Sequence, residues 1–480
     1  MAISDDGLEE KNMKGKLVSS IREAIKACGL KDGMCVSFHH HLRNGDHVLN
    51  MVMAEIADMG FHDICVSASS IHEAHYPLCD LLEQGVVSGI DTNYISASVG
   101  RDISRGVLDK PVTLRSHGGR AGAVYSGECH IDIAFMAAPT ADCMGNVNGV
   151  EGPSACGALG YAFEDMKCAD KVVVITDNLV PYPLQRVSID ETTVDYVVKV
   201  DSIGDPDGIV SGTTRITRDP IGLKIARLAA DVIENSGLLT DGFAFQTGAG
   251  GASLAVTQYL KDIMLKKHIV GSYALGGITG YLVDMLETGL FESIQDVQCF
   301  DLRAVQSIRS DARHKEISGY CYASSYAKSC AVNSLDAVIL GATEIDTDFN
   351  VNVHTDSGGF IMGGSGGHAD AANGAKLSII VAPAFRTRLP TVRDHVGCIS
   401  TPGCDVDVLV TQYGVSVNPR NEDLRQRLAD ARVPMIDIHE LKDRVERITG
   451  APMQVKHSDK VVANVLDRNN RELDKIYQVI

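Results

Sequence analysis

The sequence predicts an α/β fold made of two tandem homologous domains with mainly parallel sheets. Short apolar runs at residues 171–176, 376–383 and 406–411 have the length and composition of buried strands, and residues 48–59 have those of a helix. Alternating strands and helices are typical of a parallel sheet covered by helices. The 46 glycines and the lack of tryptophan favour this architecture, with its many tight turns, over a helical bundle. Ligands of such folds gather at the carboxyl ends of the strands.

The chain resembles itself at a constant offset of 204 residues. Residues 132–148 align without a gap over residues 336–352, and six of the 17 positions are identical. At the same offset, residues 80–91 align over residues 284–295 with five identities in 12 positions. About one identity would be expected by chance in each window, so we interpret the two halves as copies of one unit. A site between two such copies is then the natural expectation.

A helix is predicted between the copies. Asp219 is its expected N-cap, Pro220 its first residue and Gly237 its stop signal. One apolar face is formed by Ile221, Ile225, Leu228 and Val232. The predicted divisions are an N-terminal helical extension (1–29), a first domain (30–218) and a second domain with a C-terminal tail (219–480).

The composition excludes several classes of protein. The formal charge of −18 opposes binding to nucleic acid or to an anionic membrane. No run of 18 apolar residues occurs, and the first residues are acidic where a signal peptide would be basic and then apolar, so we expect a cytoplasmic protein. The 13 cysteines are scattered singly and are expected to be reduced core residues.

Three glycine-rich segments are candidate parts of a site: residues 116–120 (SHGGR), 248–253 (GAGGAS) and 363–370 (GGSGGHAD). Glycines allow a ligand to approach the backbone, whose N–H groups can stabilise a developing oxyanion. Glycine turns are also common as purely structural features. We predict a catalytic role for Gly364, Gly366, Gly367 and His368, substrate contacts for Gly118 and Gly119, and thioester binding for Gly248, Gly250 and Gly251.

Charged and polar side chains near these segments suggest an anionic substrate. The planar guanidinium group of arginine can form two hydrogen bonds to one carboxylate. The candidates are Arg115, Arg120, Arg386 and Arg388. Arg120 is favoured because it follows His117 in a glycine turn. His117 is itself predicted to contact substrate. Glu344 is a candidate catalytic carboxylate, and Glu128 a weaker one. Each of these residues could instead be a solvated charge or a local pairing partner.

A metal site is not predicted. The run His39–His40–His41 places successive side chains on opposite faces of a strand, which prevents good chelation of one ion. The sequence also lacks a GxSxG elbow, a P-loop and a GxGxxG fingerprint with a distant acid, so hydrolase and nucleotide-binding functions receive little support.

Several motifs, in a fixed order between residues 30 and 450, resemble those of the citrate lyase alpha subunit family. They are SFHH, NMVMAEIADMGFHD, SHGGR, FQTGAGGASLAVTQYL, LGGITGYLVDMLETGL, EIDTDFNVNV, GGSGGHADAANGA and DVLVTQYGVSVNP. The resemblance implies two CoA-transferase-like (NagB/RpiA-like) domains, which accounts for the internal repeat. The N-terminal stretch is shorter than in the family.

The resemblance also implies a reaction. Citrate would replace acetate on a thioester carried by CoA or by the phosphopantetheine-type arm of an acyl carrier protein, with no cofactor bound covalently to this chain. A beta subunit would then cleave the citryl thioester to oxaloacetate, a gamma subunit would carry the thiol, and the assembly would be oligomeric.

One departure from related CoA-transferases concerns the nucleophile. Those enzymes use a glutamate about twenty residues before the segment that corresponds to residues 344–346, where this chain has residues 322–325 (YASS). Direct attack by a citrate carboxylate through a mixed anhydride is therefore favoured. Glu316 keeps a covalent, glutamate-dependent carboxylate CoA-transferase open as an alternative, and a non-catalytic scaffold subunit is a second one.

Overall fold

The computed structural model describes residues 15–210 and 214–480. The strands before residue 211 are β1 (Leu17–Val18), β2 (Cys35–Phe38), β3 (Ile64–Ala68), β4 (Val87–Thr92), β5 (Val112–Leu114), β6 (Ile133–Ala138), β7 (Thr140–Asp142), β8 (Val147–Asn148), β9 (Lys171–Thr176), β10 (Leu179–Val180) and β11 (Tyr196–Lys199). The helices of this part are α1 (Ile21–Cys28), α2 (Val48–Asp58), α3 (Leu78–Glu83), α4 (Ala97–Ser104), α5 (His117–Ser126) and α6 (Phe163–Cys168).

The second part of the chain repeats this alternation. Its strands are β12 (Ala244–Thr247), β13 (Gly271–Ile278), β14 (Phe291–Cys299), β15 (His314–Glu316), β16 (Ala337–Leu340), β17 (Glu344–Asp346), β18 (Val351–Asn352), β19 (Ser378–Val381), β20 (Phe385–Arg386), β21 (Leu389–Pro390), β22 (Val392–Arg393), β23 (Val408–Thr411), β24 (Gly414–Val417), β25 (His457–Leu466) and β26 (Glu472–Val479). Its helices are α7 (Pro220–Asn235), α8 (Gly251–Lys267), α9 (Gly280–Glu287), α10 (Leu302–Ser310), α11 (Gly319–Ala323), α12 (His368–Gly374), α13 (Glu422–Asp430) and α14 (Ile438–Thr449).

Two large, mainly parallel sheets organise the molecule. The first sheet has the strand order β1-β11-β9-β6-β2-β3-β4-β5-β25-β26, and the second has the order β15-β14-β13-β12-β16-β19-β23-β24. In each sheet only the terminal pair, β25 with β26 or β23 with β24, is antiparallel. The order β5-β4-β3-β2-β6-β9-β11 in the first sheet corresponds strand by strand to β15-β14-β13-β12-β16-β19-β23 in the second. The α/β class with mainly parallel sheets is thus confirmed.

The identities in the repeat have a structural cause. Oδ1 of Asp142 accepts hydrogen bonds from the amides of the turn that follows β7. Oδ1 of Asp346 does the same in the turn that follows β17. Asn148 and Asn352 then accept from the amides two and three residues further on. Short polar side chains are required for such turns, so the aligned aspartates and asparagines hold equivalent loops.

The helix between the repeats forms as α7. The Asp219 side chain accepts from the Gly222 amide at 3.0 Å, and the chain turns at Gly237 with φ +86°. Ile225, Leu228 and Val232 are buried, but Ile221 is 45% exposed and does not belong to the buried face. Ile221 lies in the first turn of α7, and its side chain is exposed there.

The described residues nearest to each end of the chain pair with the first sheet. β1 pairs with β11, so residues 15–29 join the first sheet as a strand followed by α1, and residues 1–14 lie outside the described part. The hairpin β25–β26, which was assigned to the second domain, pairs with β5. It covers an edge of the sheet that would otherwise expose unpaired backbone groups. The division into domains stays a prediction.

In the described ranges, no helix is long and apolar enough to cross a membrane.

Candidate functional site

Two of the three glycine-rich segments meet between the sheets. The His117 amide donates to the Gly366 carbonyl at 2.8 Å, and Ser116 pairs with Gly366 as a parallel β-bridge. Asp370 accepts from the Ser116 hydroxyl at 2.6 Å and from the Gly118 amide at 2.8 Å. The carboxyl end of β5 is therefore joined to the segment that begins α12. We call this contact, with the adjoining side chains of His40, Tyr161 and Tyr322, the seam.

The glycines of the seam are needed for close packing. A Cβ atom at Gly364 would lie 2.0 Å from the Asn93 carbonyl oxygen, and one at Gly118 would lie 2.2 Å from the carbonyl oxygen of Ala323. A Cβ atom at Gly367 would lie 2.3 Å from the Tyr322 hydroxyl. These distances exclude any larger residue without rearrangement.

The seam has an approximate internal counterpart. The Gly160 carbonyl accepts from the Gly319 amide at 2.9 Å, just as the Gly366 carbonyl accepts from His117. Glu164, four residues after Gly160, accepts from the Tyr320 amide at 2.7 Å, as Asp370 accepts from Gly118. Burial raises the pKa of Glu164 to about 7 and that of Asp370 to about 6. Each half thus supplies a buried carboxyl that caps the first turn of a helix in the other half.

His117 lies at the centre of a group of stacked rings. Its ring centroid is 4.1 Å from that of Tyr161 and 5.5 Å from that of His40. Burial, and secondarily the charge of Arg120, lowers the pKa of His117 to about 3, so the imidazole is neutral. Its buried Nδ1 has no hydrogen-bond partner within the described residues.

Sequence reasoning did not identify the group around Arg43. This half-buried side chain follows the histidine run at the carboxyl end of β2, donates to the Ile209 carbonyl at 3.2 Å, and has its Cζ 4.8 Å from the Phe300 ring centroid. In residues 15–210 and 214–480 it has no carboxylate partner, and burial lowers its pKa. The backbone at Arg43 has φ +52°, a strained value for a non-glycine residue. Burial and the charge of Arg43 hold the pKa of His72 well below its usual range.

Two further polar atoms near the seam are buried without partners in the described chain: Nε2 of His72 and Oε1 of Gln246. The Gln246 amide nitrogen donates to the Tyr322 hydroxyl at 2.9 Å. Buried polar groups are nearly always paired in folded proteins. Position at the carboxyl end of a strand could have identified Arg43, but nothing local distinguishes Tyr161, Gln246 or Tyr322.

Arg120 and Arg115 are already paired with protein carboxylates. Arg120 donates from both terminal nitrogens to Asp165, at 2.8 and 2.7 Å, and it is only 3% exposed. Burial alone would lower the pKa of Arg120, but Asp165 raises it above its usual value. Arg115 donates to Asp91 and to Glu128. Both guanidinium groups thus have protein carboxylate partners, and the substrate contacts of Arg115 and Arg120 stay predictions.

His368 and Glu344 are engaged in local hydrogen bonds. His368 lies 2.8 Å from the Gly341 carbonyl through Nε2 and 2.8 Å from the Thr401 hydroxyl through Nδ1. Burial lowers the pKa of His368 to about 4. Glu344 is buried, and its carboxylate accepts from Arg393 at 2.8 Å and from the Gly397 amide at 3.0 Å. Glu344 thus has local partners and His368 borders the seam, and the catalytic roles of both stay predictions.

The remaining predicted residues make other contacts. Arg386 donates to the carbonyls of residues 342 and 343, and Arg388 is exposed on the adjoining hairpin turn. Gly248, Gly250 and Gly251 lead from β12 into α8, where the Gly248 amide donates to the Ile339 carbonyl of neighbouring β16.

The three histidines of the run have different hydrogen-bond partners. Nε2 of His39 lies 3.0 Å from Asp165, Nδ1 of His40 lies 2.6 Å from the Ser69 hydroxyl, and Nε2 of His41 lies 2.6 Å from the Ala137 carbonyl. The described chain does bring together two other groups with potential metal ligands, one containing Asp296, Cys299 and His314 and one containing His130, Asp132 and Asp170. Hydrogen bonds of 2.9 and 3.0 Å to the Asp296 carboxylate account for the first group.

The turn between β25 and β26, which form the tail hairpin, connects both sides of the seam. Arg468 donates to the Ala323 carbonyl at 2.8 Å, and the Asn470 side chain donates to the Gly119 carbonyl at 2.9 Å. Asn470 also accepts from Arg115 at 2.7 Å.

The architecture is a CoA-transferase-like α/β fold. The alpha subunit of a malonate decarboxylase from Acinetobacter baumannii has the same fold, with a TM-score of 0.67 at 16% identity over 91% of this chain and 89% of that one. The family model for the citrate lyase alpha subunit (CitF) matches residues 14–479, and this chain belongs to that family.

Two relatives illustrate the similarity. The citrate lyase alpha chain of Escherichia coli K12 is 47% identical over 470 residues, which cover 98% of this chain and 92% of that protein. A Streptococcus mutans structure described as the alpha subunit of citrate lyase in complex with citrate has a TM-score of 0.96 and 48% identity, and the match covers 98% of this chain and 92% of that one.

Proposed function

We propose that this chain exchanges citrate for acetate on a carrier thioester at the seam. The observation that supports this proposal is that both halves contribute buried polar atoms without partners in the described chain, namely those of His72, His117 and Gln246. They lie beside Arg43, which donates to the Ile209 carbonyl and has no carboxylate partner among the described residues. Such atoms destabilise an empty site unless a ligand satisfies them. The citrate in the Streptococcus mutans relative supports a tricarboxylate as that ligand.

In the proposed reaction, a citrate carboxylate oxygen attacks the acetyl carbonyl carbon and the carbon–sulfur bond breaks. The carrier leaves as a thiolate, and citrate and acetate are joined as an anhydride. The thiolate then attacks the citryl carbonyl carbon and acetate leaves. No proton is gained or lost, so no general base is required. Holding the two reactants together can supply up to about 7–11 kcal/mol of the barrier.

The residues of the seam suit these steps. Neutral His117 can donate one N–H to the oxyanion or to a substrate carboxylate. The backbone amides of Gly364 and Gly367 have no acceptor among the described residues and are our proposed oxyanion donors. Arg43 is our proposed partner for a citrate carboxylate that does not react.

Replacing His117 tests the site of chemistry. We expect His117→Ala to lower kcat for citrate-dependent release of acetate from acetyl-CoA by about 10²–10³, the usual effect of losing one oxyanion donor. His130→Ala, at an exposed histidine, is the matched control. Unchanged kcat in a folded His117→Ala protein would remove the seam from the mechanism.

The covalent alternative depends on Glu316. Its Oε1 accepts from the Leu159 amide at 2.6 Å, and burial raises its pKa. Trapping a glutamyl thioester with hydroxylamine during turnover would favour that alternative over direct attack.

Replacing Arg43 tests citrate binding. We expect Arg43→Met to raise KM for citrate by roughly 10- to 100-fold, the effect of losing a charged hydrogen bond, without changing KM for acetyl-CoA. Arg101→Met, on the exposed face of α4, should leave both constants unchanged. A rise only in KM for acetyl-CoA would instead assign Arg43 to binding of the thioester.

We also propose that the chain works in the cytoplasm with a beta subunit and an acyl carrier subunit. Its cysteines are free in the described ranges, which fits a reducing compartment. A purely non-catalytic scaffold is disfavoured because it would not need unpartnered polar atoms at strand ends.

A further inference from the structure

A cavity of about 570 Å³ lies between the halves on the outer side of β15, the edge strand of the second sheet. Arg186 lines it from the first half, and Arg309, Lys315 and Glu316 line it from the second. Arg186 crosses between the halves by donating to the carbonyls of Ile308 and Arg309 at the end of α10, at 2.9 and 3.1 Å.

The cavity has a cationic lining in an acidic protein. Within residues 15–210 and 214–480, the side chains of Arg186, Arg309 and Lys315 have no carboxylate partner, although the whole chain carries a charge of −18. The carboxylate of Asp311 at the rim is neutralised by Arg313 at 2.6 Å. Glu316 is turned inward to the Leu159 amide; burial raises its pKa, whereas Ser188, the Leu159 amide and the charge of Arg186 lower it. With Asp311 paired to Arg313, the three cations outnumber the remaining carboxylate, and an excess of positive charge in one concave site favours an anion.

The cavity is close to the seam along the chain. Glu316 lies three positions before Gly319, whose amide bonds to Gly160 beside Tyr161. Three residues of chain span at most about 11 Å. A pantetheine arm is long enough to cross such a distance, so a phosphate in the cavity and a thioester at the seam could belong to one molecule.

We propose that this cavity binds the phosphate groups of the thioester carrier. The inference rests on the proposed exchange reaction and adds a binding site to it. The ligand chemistry is a phosphate ester next to pantetheine, which occurs both in CoA and on the prosthetic arm of a carrier protein. Arg186 and Lys315 are assigned to charge pairing with phosphate and have no part in the bond-making steps.

The experiment compares thioesters with and without phosphate. For the double variant Arg186→Met/Lys315→Met, we expect KM for acetyl-CoA to rise roughly tenfold or more. Exchange with acetyl-pantetheine, which has no phosphate, and KM for citrate should both match the wild type. Lys328→Met, at an exposed lysine, is the control.

Acetyl-phosphopantetheine distinguishes the phosphate that CoA shares with the carrier-protein arm from the nucleotide phosphates of CoA. An equal rise in its KM assigns the cavity to the phosphate that both carriers share, whereas a rise for acetyl-CoA alone assigns it to the nucleotide phosphates. Unchanged KM for both phosphorylated thioesters, or an equal rise for acetyl-pantetheine, would overturn the inference. Calorimetric binding of CoA to the wild type and the double variant tests the cavity even if the wild type has no exchange activity.

Discussion

Arg120→Met is expected to reduce the free energy of unfolding by about 3–5 kcal/mol, the usual result of removing one partner of a buried ion pair. The variant leaves Asp165 buried with His39 as its remaining charged or polar side-chain partner. Burial would raise the pKa of Asp165, but Arg120 and His39 hold it well below its usual range, so the carboxylate is charged and cannot be left unpaired cheaply. The shift in the urea unfolding midpoint measures this loss.

Two companion variants make the result specific. Arg120→Met/Asp165→Leu should recover much of the stability, because an apolar pair removes the isolated charge. Arg101→Met, at an exposed arginine, should unfold like the wild type. If Arg120→Met were fully stable but could not bind citrate, the sequence-based prediction of a substrate-binding Arg120 would be supported.

Acidification from pH 7.5 to pH 5.5 is expected to lower the free energy of unfolding by several kcal/mol. Burial lowers the pKa of six imidazoles, to about 4 in His41 and His368, to about 3 in His117 and His354, and well below 6.5 in His40 and His72. The unfolded chain therefore binds more protons, and stability falls as pH drops from about 6.5 towards about 4. At pH 5.5 each such imidazole lowers the free energy of unfolding by about 1 kcal/mol.

Two carboxyls act in the opposite direction. The pKa values of Glu164 and Asp370 are raised in the folded protein. Each carboxyl therefore stabilises the folded protein at a pH below its unfolded pKa, and this contribution is lost as the pH rises towards about 7 for Glu164 and about 6 for Asp370. The two carboxyls thus offset part of the histidine effect. Urea midpoints at the two pH values measure the net change. His354 gives the sharpest check, since its Nε2 accepts from the Ser365 amide at 3.3 Å and cannot do so when protonated. His354→Gln should reduce the pH dependence; an unchanged slope would contradict this assignment.

Local patterns were sufficient to predict the strands of the sheets. The strands at residues 171–176, 376–383 and 406–411 formed as β9, β19 and β23 because continuous apolar runs suit strands buried on both faces. The identities Asp142 and Asp346 of the repeat proved to hold equivalent turns through their own local hydrogen bonds. Such features depend on neighbours within a few residues.

The charge partners could not be predicted in the same way. Asp165 is 45 residues from Arg120, and the two meet only because α5 packs on α6. Arginine next to glycine is compatible with a substrate site and with a buried ion pair, and sequence spacing does not separate the two. The same holds for the tail hairpin, whose pairing with β5 depends on which sheet edge lies open.

The turn of that hairpin has a mechanical consequence. Because Arg468 and Asn470 are anchored to Ala323 on one side and to Gly119 on the other, the two sheets cannot separate by sliding while this turn stays in place. Sliding of one sheet past the other would break both contacts, so the end of the chain helps to hold the two sides of the seam in register.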